Sequence, residues 1–511
     1  MNFRDMAITG NSKKIGFVET PLEIARLMVK LSTVKKNSSV LDTGCGMGVF
    51  LDELDKAGYT NCYGIEIDQE LYEVCKRKFE GKYTILLSDF LTFNPKEKFD
   101  LIIGNPPYVH FNQLTLETQE ITKKILKTRE CDIYYAFILK SIELLKDNGE
   151  LIYIVPYHFF YNTYAKMLRE YILHYGKFEI IIDLDETRIF NEENPETIIF
   201  KFIKGKFDLK QEKIILLNIK RKNSKPSEIY EKSLSALETK KSNDLFTYNV
   251  IPHYTTIEPW STFYINIPRF KYVKLKEISK VGVGFVSGFD KAFILNGNEK
   301  LTQEEQKMVK KFIKSQNCER YFTKGYVSYI FIDDNIKDEE HLKRNYPNIY
   351  AKLLFYKEEM SNRYLNKKNW FNWQALRNYD FLMKNLNKKL IYVPVLDRRP
   401  YNRFSLGEEK LLPSGDVLFI HPFNEDDLYF LLGYLNSSFF RDYYLAKGGR
   451  RGGRIAFTQR LLENVEIPLF SEETKSNIIN IVLKILNNKN DIEKIYELDK
   501  ELDFIIRSQL K

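Results

Sequence analysis

A glycine-rich turn between a strand pattern and a helix pattern, at Ser39–Gly48, limits the fold of this chain more than any other segment. Glycines let a backbone approach a ligand closely, and the start of a helix offers N–H groups that have no partner within the helix. The spacing Gly-x-Gly-x-Gly departs from the Gly-x-Gly-x-x-Gly of dinucleotide sites, which weakens a pyrophosphate interpretation. The segment predicts a strand, turn and helix of an α/β fold, although the same glycines would also suit a simple turn.

The next two strand patterns end in acidic residues. Glu66 lies about 20 residues beyond the glycines, where a doubly wound sheet places a carboxylate against ribose hydroxyls. Asp68 suits the cap of the following helix instead. The strand pattern Thr84–Leu87 leads to Asp89 and Phe90, an acceptor beside an aromatic ring. This pair suits an adenine, and it equally suits an ordinary turn at the end of a strand.

The tetrapeptide Asn105-Pro106-Pro107-Tyr108 follows the apolar run Phe99–Gly104. Proline fixes φ and donates no hydrogen bond, so the Pro106 carbonyl and the Asn105 side-chain oxygen can point at one place. Both can accept from an exocyclic amine, and Tyr108 offers a stacking face for the ring that carries it. The loop therefore suits methyl transfer to a planar NH2 group. The alternative is a Pro-Pro turn that only closes a strand.

The order of these motifs resembles that of the S-adenosylmethionine-dependent amino methyltransferases of DNA, specifically the gamma class that methylates adenine N6. In that class a cofactor-contacting segment precedes the glycine loop, the catalytic tetrapeptide follows, and a target-recognition domain comes last. The resemblance covers about residues 15–210. It implies an α/β, Rossmann-like catalytic domain, S-adenosyl-L-methionine as the methyl donor, and no metal.

The resemblance also implies roles for individual residues. The catalytic set is Asn105, Pro106, Pro107, Tyr108 and, as a second aromatic against a flipped base, Phe190. The cofactor-binding set is Thr20, Pro21, Asp42, Gly44, Cys45, Gly46, Glu66, Ile67, Asp89, Phe90 and Asn105. Thr20 and Pro21 also match the start of a helix, so a capping box is the alternative for them.

The charge is divided unevenly along the 511 residues, which are too many for a single typical core. Residues 1–220 hold 30 Lys and Arg against 32 Asp and Glu, whereas residues 221–511 hold 48 against 37. Residues 341–403 alone carry 14 against 4, interleaved with Trp370 and Trp373. A basic stretch with aromatics is typical of a polyanion partner, and a solvated Lys-rich surface is the alternative.

These observations predict a catalytic domain over 1–240, a mixed α+β target-recognition domain over 241–470 and a helical segment over 471–511. Two segments of the second domain loosely resemble recognition domains of restriction-modification enzymes. Their predicted DNA contacts are Arg398, Arg399, Tyr401, Arg403, Lys447, Arg450, Arg451 and Arg454. In the segment Lys447–Arg454, glycine and arginine together suit a loop that clamps phosphates. A disordered surface loop is the alternative for this segment.

Several classes of protein are disfavoured. No apolar run reaches about 18 residues and the start lacks a signal-peptide core, which predicts a cytoplasmic protein without membrane attachment. The five cysteines form no Cys-x-x-Cys pair, so zinc and disulfides are poor predictions. No Pro-Cys dipeptide supports C5-cytosine chemistry, and no phosphate-binding Gly-Lys-Ser/Thr loop supports an ATP-driven motor.

The predicted partner is double-stranded DNA, with a separate cognate restriction endonuclease as a candidate second partner, and the chain is predicted to act as a monomer. The closest alternative is N4-cytosine methylation. RNA or protein-glutamine methylation would share the tetrapeptide chemistry. A metal nuclease fits only loosely, through Asp397 with Glu408 to Lys410.

Overall fold

The computed structural model describes residues 19–126, 131–190, 195–265, 267–333, 335–365 and 368–510. The chain divides into two compact units, the first ending at Tyr264 and the second beginning at Ile265. The sequence predicted a domain boundary at residue 240. Because the strand Phe246–Pro252 pairs within the sheet of the first unit, that unit extends further than predicted.

The first unit is built on one nine-stranded sheet. Its strands are β1 Ser39–Asp42, β2 Asn61–Glu66, β3 Thr84–Leu87, β4 Phe99–Gly104, β5 Leu145–Pro156, β6 Gly176–Asp183, β7 Thr197–Lys204, β8 Lys213–Ile219 and β9 Phe246–Pro252. They lie in the order β3-β2-β1-β4-β5-β7-β6-β8-β9. The pairs from β3 to β5 are parallel, whereas β7 is antiparallel to both β5 and β6.

Helices cover both faces of this sheet. They are α1 Leu22–Leu31, α2 Val49–Lys56, α3 Gln69–Lys78, α4 Leu116–Leu126, α5 Ile133–Leu144, α6 Lys166–Tyr175 and α7 Pro226–Thr239. Successive residues of β1 enter different cores: Leu41 packs with α5 and α6, whereas Val40 packs with α1, α2 and α7. Burial on both faces explains why the middle of β1 has consecutive apolar residues. The α/β fold expected from the sequence is confirmed.

The second unit is a mixed α and β structure. Its strands are β10 Tyr272–Lys274, β11 Ser279–Val283, β12 Val309–Ile313, β13 Tyr321–Phe322, β14 Val327–Ile330, β15 Ile391–Pro394, β16 Leu396–Asp397, β17 Ser405–Leu406, β18 Leu411–Pro413, β19 Val417–Pro422, β20 Arg450–Arg451, β21 Arg454–Ala456 and β22 Glu466–Pro468. The largest sheet has the order β11-β19-β15-β17-β13. Smaller sheets join β14-β12-β18, β16-β21-β20 and β10-β22.

Short helices and a long C-terminal pair complete this unit. They are α8 Leu275–Ile278, α9 Asp290–Phe293, α10 Gln303–Lys307, α11 Glu339–Asn345, α12 Pro347–Leu354, α13 Lys357–Ser361, α14 Tyr379–Lys384, α15 Asp427–Asn436, α16 Ser438–Ala446, α17 Gln459–Glu463, α18 Glu472–Asn487 and α19 Ile492–Gln509. Apolar residues of α15, α18 and α19 share one core with β11, β15 and β19. Among the described residues, no helix is both long and apolar enough to cross a bilayer.

Candidate active site

A cavity of about 370 Å³ lies where β1, β2, β3 and β4 end. Parallel strands of an α/β sheet leave their ligand crevice at their carboxyl ends, and this cavity follows that rule. It is lined by nine of the predicted cofactor residues, namely Thr20, Gly44, Cys45, Gly46, Glu66, Ile67, Asp89, Phe90 and Asn105. The structure therefore brings together residues from five separate segments of the sequence.

The glycine loop is shaped by its backbone. Gly46 and Gly48 have φ of +50° and +85°, which only glycine adopts readily. A Cβ on Gly48 would lie 2.5 Å from a ring carbon of Phe79, so this position has no room for a side chain. A Cβ on Gly44 would meet no atom within 4 Å, because Gly44 faces the open cavity. Glycine thus sets the turn at one position and keeps space for a ligand at another.

Glu66 holds the loop from the neighbouring strand. One carboxylate oxygen accepts from the Gly46 N–H at 2.8 Å, and the other accepts from the Ile67 and Asp68 N–H groups, each at 2.9 Å. A carboxylate has about four acceptor positions, so these three bonds leave roughly one for a ligand. Glu66 can therefore shape the loop and still accept one hydroxyl from a bound molecule.

Asp89 and Phe90 form the far wall of the cavity. An Asp89 carboxylate oxygen accepts from the Leu91 N–H at 2.9 Å, and burial raises the pKa of Asp89 above its ordinary value. The buried Phe90 ring packs against Phe137, with 4.9 Å between the ring centroids. An acceptor beside an apolar wall suits a flat ligand that carries an amine.

Asn105, the first residue of the Asn-Pro-Pro-Tyr tetrapeptide, connects this cavity to Tyr108. Its Nδ2 donates to Thr20 Oγ1 at 3.0 Å, and its Oδ1 accepts from the Tyr108 hydroxyl. That hydroxyl also lies 3.0 Å from the Ile154 carbonyl. Burial raises the pKa of Tyr108 well above its ordinary value, so the hydroxyl remains a proton donor. The carboxamide is thereby held at both ends.

Two aromatic rings meet the Tyr108 ring with their edges. Tyr134 and Phe190 each have their ring centroid 6.2 Å from that of Tyr108, with interplanar angles of 80° and 66°. The resemblance implied that Phe190 contacts the flipped base. Phe190 is only 4% exposed and packs beside Tyr108, which makes it a support for that ring in this structure.

Five of the predicted catalytic and cofactor-binding residues do not line the cavity, namely Pro21, Asp42, Pro106, Tyr108 and Phe190. Asp42 is fully buried beneath the loop, with one oxygen 3.4 Å from the Gly44 N–H. Burial raises its pKa from 3.8 to about 8, which favours a neutral carboxyl. Pro21 immediately precedes α1, and Pro106 is buried while Pro107 reaches the cavity. Asp42 therefore lies beneath the loop and Pro21 at the start of α1, whereas the Pro106 carbonyl stays a predicted acceptor.

The sequence motifs missed the opposite wall of the cavity. Its residues come from the segment after the tetrapeptide and from α4 and α5, namely Gln113, Leu114, Thr115, Thr118, Ile133 and Phe137. The segment Gln113–Thr118 is polar and carries no recognisable motif. Only the hydrophobic pattern of α5 could have indicated part of this wall.

The two predicted basic segments of the second unit lie together in the sheet β16-β21-β20. Asp397 in β16 pairs with Ile455 in β21, and β21 forms a hairpin with β20. Arg398 and Arg399 follow directly after β16. The exposed members are Arg398, Arg399, Tyr401 and Arg451, and the half-buried members are Lys447, Arg450 and Arg454. The structure thus unites residues that are about 50 positions apart in the sequence.

Arg403 departs from that set because it is 5% exposed. Its guanidinium donates to the Asp397 carboxylate and to the carbonyls of Ser315, at 2.9 Å, and Cys318, at 2.6 Å. It is therefore a structural residue rather than a surface contact. The same ion pair engages Asp397, the first residue of the loose nuclease pattern.

Comparison with known proteins adds a family context. Residues 80–190 match the family described as Eco57I restriction-modification methylase. The chain is 62% identical over 256 residues to the Type II methyltransferase M.MjaIV of Methanocaldococcus jannaschii, across 50% of this chain and 86% of that protein. It is 30% identical over 529 residues to the Type II methyltransferase M.HindII of Haemophilus influenzae, across 96% of this chain and 98% of that protein.

Among solved structures, the Type IIL restriction-modification enzyme MmeI in complex with DNA is similar in fold. The TM-score is 0.64 at 13% sequence identity, and the alignment covers 93% of this chain and 70% of that one. At this identity the likeness concerns the fold alone.

Proposed function

Because this chain belongs to the family of Type II restriction-modification methyltransferases, we propose that it methylates adenine N6 in double-stranded DNA, with S-adenosylmethionine as the methyl donor. The observation that carries this proposal is the position of Asn105. The same side chain lines the strand-end cavity and contacts Tyr108. A methyl donor in the cavity and a target ring stacked on Tyr108 would therefore both lie beside the Asn105 carboxamide.

The cavity has the groups that such a cofactor requires. Gly44 leaves space along the backbone, and Glu66 retains about one acceptor position for a ribose hydroxyl. Asp89 and Phe90 supply a carboxyl group and an apolar wall for adenine. The volume of about 370 Å³ lies within the usual range for cofactor sites. When bound, S-adenosylmethionine would supply an electrophilic methyl group.

On the target side, the tetrapeptide works by positioning and electrostatics. Adenine in a duplex hides N6, and flipping it out costs a few kcal/mol. Stacking on the Tyr108 ring offsets that cost, because the buried rings of Tyr134 and Phe190 hold Tyr108 in place. The flipped base then meets a preformed surface.

The acceptors of the loop activate the amine. Asn105 Oδ1 and the Pro106 carbonyl accept the two N6 hydrogens, which turns the nitrogen lone pair out of conjugation with the ring. As N6 gains the methyl group it becomes cationic, and one of its protons leaves to water. Tyr108 does not serve as the base, because a raised pKa keeps its hydroxyl protonated.

The basic sheet β16-β21-β20 would hold the DNA backbone. Its exposed arginines can neutralise phosphates, and the Gly452 and Gly453 turn, with φ of +51° and +47°, brings Arg451 and Arg454 opposite one another. Contacts with phosphate fix the register of a protein on DNA without reading its sequence. We therefore assign this sheet to affinity and register rather than to base recognition.

The test is to incubate the purified chain with unmethylated genomic DNA and methyl-labelled S-adenosylmethionine, and to identify the modified nucleoside by mass spectrometry. Asn105→Ala removes the proposed acceptor. Asn94→Ala is the matched control, because Asn94 is an exposed asparagine of the same unit. N6-methyladenine from wild type and control, but not from Asn105→Ala, is the expected result.

Other products would redirect the assignment. N4-methylcytosine would keep the mechanism and change the target base, since both targets are exocyclic amines on planar rings. Label in RNA or protein but not in DNA would refute the DNA proposal. Full activity in Asn105→Ala would refute the role of the carboxamide.

A further inference from the structure

We infer that Thr20 is a positioning residue whose hydroxyl sets the orientation of the Asn105 carboxamide. This inference rests on the proposed amine methylation, because it concerns the acceptor that receives the target amine. The resemblance to the family assigned Thr20 only to the cofactor. The hydrogen bond between Thr20 Oγ1 and Asn105 Nδ2, 3.0 Å long, gives it a second role toward the target.

The orientation of a carboxamide decides whether it accepts or donates a hydrogen bond at a given point. Its oxygen accepts hydrogen bonds and its nitrogen donates them, yet the two ends have almost the same size and shape. A target amine needs an acceptor, so a carboxamide turned by 180° would oppose donor to donor. Asn105 must therefore present Oδ1, and something nearby must hold Nδ2 away from the target.

Two neighbours impose this orientation from opposite ends. Thr20 Oγ1 receives Nδ2, and the Tyr108 hydroxyl lies against Oδ1. Tyr108 has a single hydroxyl proton and a second acceptor within reach, the Ile154 carbonyl at 3.0 Å. The contact at the Oδ1 end is therefore shared, and the bond to Thr20 supplies the constraint at the other end.

Thr20 is itself held firmly. It is 5% exposed and lies just before α1, which buries six of its ten residues. Beyond the far end of α1, the Thr33 N–H donates to the Glu150 carboxylate. Glu150 in turn forms a buried ion pair with Lys201, with 2.9 Å between Nζ and Oε1. The far end of α1 is thus attached to the sheet, and the burial of the helix gives Thr20 a fixed position from which to hold Asn105.

The test compares Thr20→Val, which has nearly the same shape without the hydroxyl, with Thr20→Ser, which keeps the hydroxyl. The maximal rate of methyl transfer to DNA and the dissociation constant of S-adenosylmethionine are measured for each. We expect kcat to fall about tenfold in Thr20→Val, the usual effect of losing one hydrogen bond that matters in the transition state. Thr20 also lines the cofactor cavity, so kcat is measured at saturating S-adenosylmethionine, where weaker cofactor binding does not lower it. Thr20→Ser should restore most of this rate.

A double-mutant cycle separates positioning from general stability. Tyr108→Phe removes the hydroxyl at the other end of the same carboxamide while keeping the ring. Both substitutions remove a hydrogen bond from the same Asn105 carboxamide. The fall in rate in the double variant should therefore be smaller than the product of the falls in the two single variants. Independent effects that multiply fully would overturn the inference.

The remaining outcomes are equally distinct. If wild type methylates DNA and Thr20→Val matches it, the positioning role is wrong while the proposed function stands. If the loss appears only as weaker cofactor binding, or if Thr20→Ser does not restore the rate, Thr20 acts on the cofactor or on shape alone, and the inference fails. If wild type labels no DNA, the proposed function fails first and the inference with it.

Discussion

Replacing Glu66 by glutamine tests the central electrostatic feature of the cavity. The side chain keeps its length, but one carboxylate oxygen becomes an NH2 group. The remaining oxygen can still accept from the Ile67 and Asp68 N–H groups, which lie on one side. The NH2 group would then oppose the Gly46 N–H, which now meets a carboxylate oxygen at 2.8 Å. One charge-assisted hydrogen bond is lost, and a donor of the loop is left facing another donor.

The expected size of the effect on cofactor binding follows from the loss of this one hydrogen bond. A hydrogen bond to a charged group is worth about 1.5–3 kcal/mol. The only acceptor position that Glu66 keeps for a ligand lies on the oxygen that also binds Gly46. If that oxygen contacts a ribose hydroxyl, as we propose, the dissociation constant of S-adenosylmethionine should rise by about 10- to 100-fold.

Two measurements check this expectation. Isothermal titration calorimetry gives the dissociation constant, and hydrogen exchange of the peptide containing Gly46 reports the loop directly. Protection should fall in that peptide and not in peptides of β5. Glu97→Gln is the matched control, because Glu97 is an exposed glutamate of the same unit. Wild-type affinity and unchanged exchange at Gly46 in Glu66→Gln would refute the reasoning.

Four further predictions concern backbone strain, protonation, the buried ion pair of Arg403 and the basic sheet. Gly48→Ala should lower the free energy of unfolding by about 2–5 kcal/mol, from left-handed strain and a clash. Gly58→Ala, with φ of +83° and open space at Cβ, should cost only about 1–2 kcal/mol in the same urea titration. Because folding raises the Asp42 pKa from 3.8 to about 8, the folded state keeps a proton that the unfolded chain releases. Stability should therefore fall as pH rises across that interval, and Asp42→Asn should flatten the fall in thermal melts. Arg403→Met should destabilise the second unit by about 1.5–3 kcal/mol in the same titration, because it removes the buried partner of the Asp397 carboxylate and leaves the more exposed Arg399, 4.0 Å away. Arg451→Ala should keep stability and reduce the salt slope of DNA binding by about one, and an unchanged slope would contradict a phosphate contact.

The sequence predicted the strand-end cavity well, because one rule of α/β sheets carries most of the information. Glu66 ends β2, whereas Asp89 and Asn105 come just after β3 and β4, and parallel strands end at the same edge. Their assembly needs no knowledge of tertiary packing. The family resemblance is likewise confirmed, at the level of restriction-modification methyltransferases, by the relatives that match almost the whole chain.

The sequence alone could not predict the features that depend on burial. Arg403 and Arg399 occur in one short basic turn, yet only Arg403 is buried against a carboxylate. No local pattern distinguishes them, because the difference arises from the packing of distant strands. The bond between Thr20 and Asn105 joins residues 85 positions apart, and the aromatic support of Tyr108 by Phe190 also depends on tertiary structure. The sequence shows the type of each residue but not the direction of its side chain in the fold.

The sheet pairings also set the order in which the chain can complete its parts during synthesis. Every strand of the nine-stranded sheet has been made once β9 has left the ribosome. The second unit closes much later, because β10 near its start pairs with β22, which ends at Pro468. Domains of nascent chains generally fold as units, starting from the N-terminus. The strand-end cavity can therefore form while the basic sheet is still being translated, and premature termination before β22 would release a first unit without a complete second one.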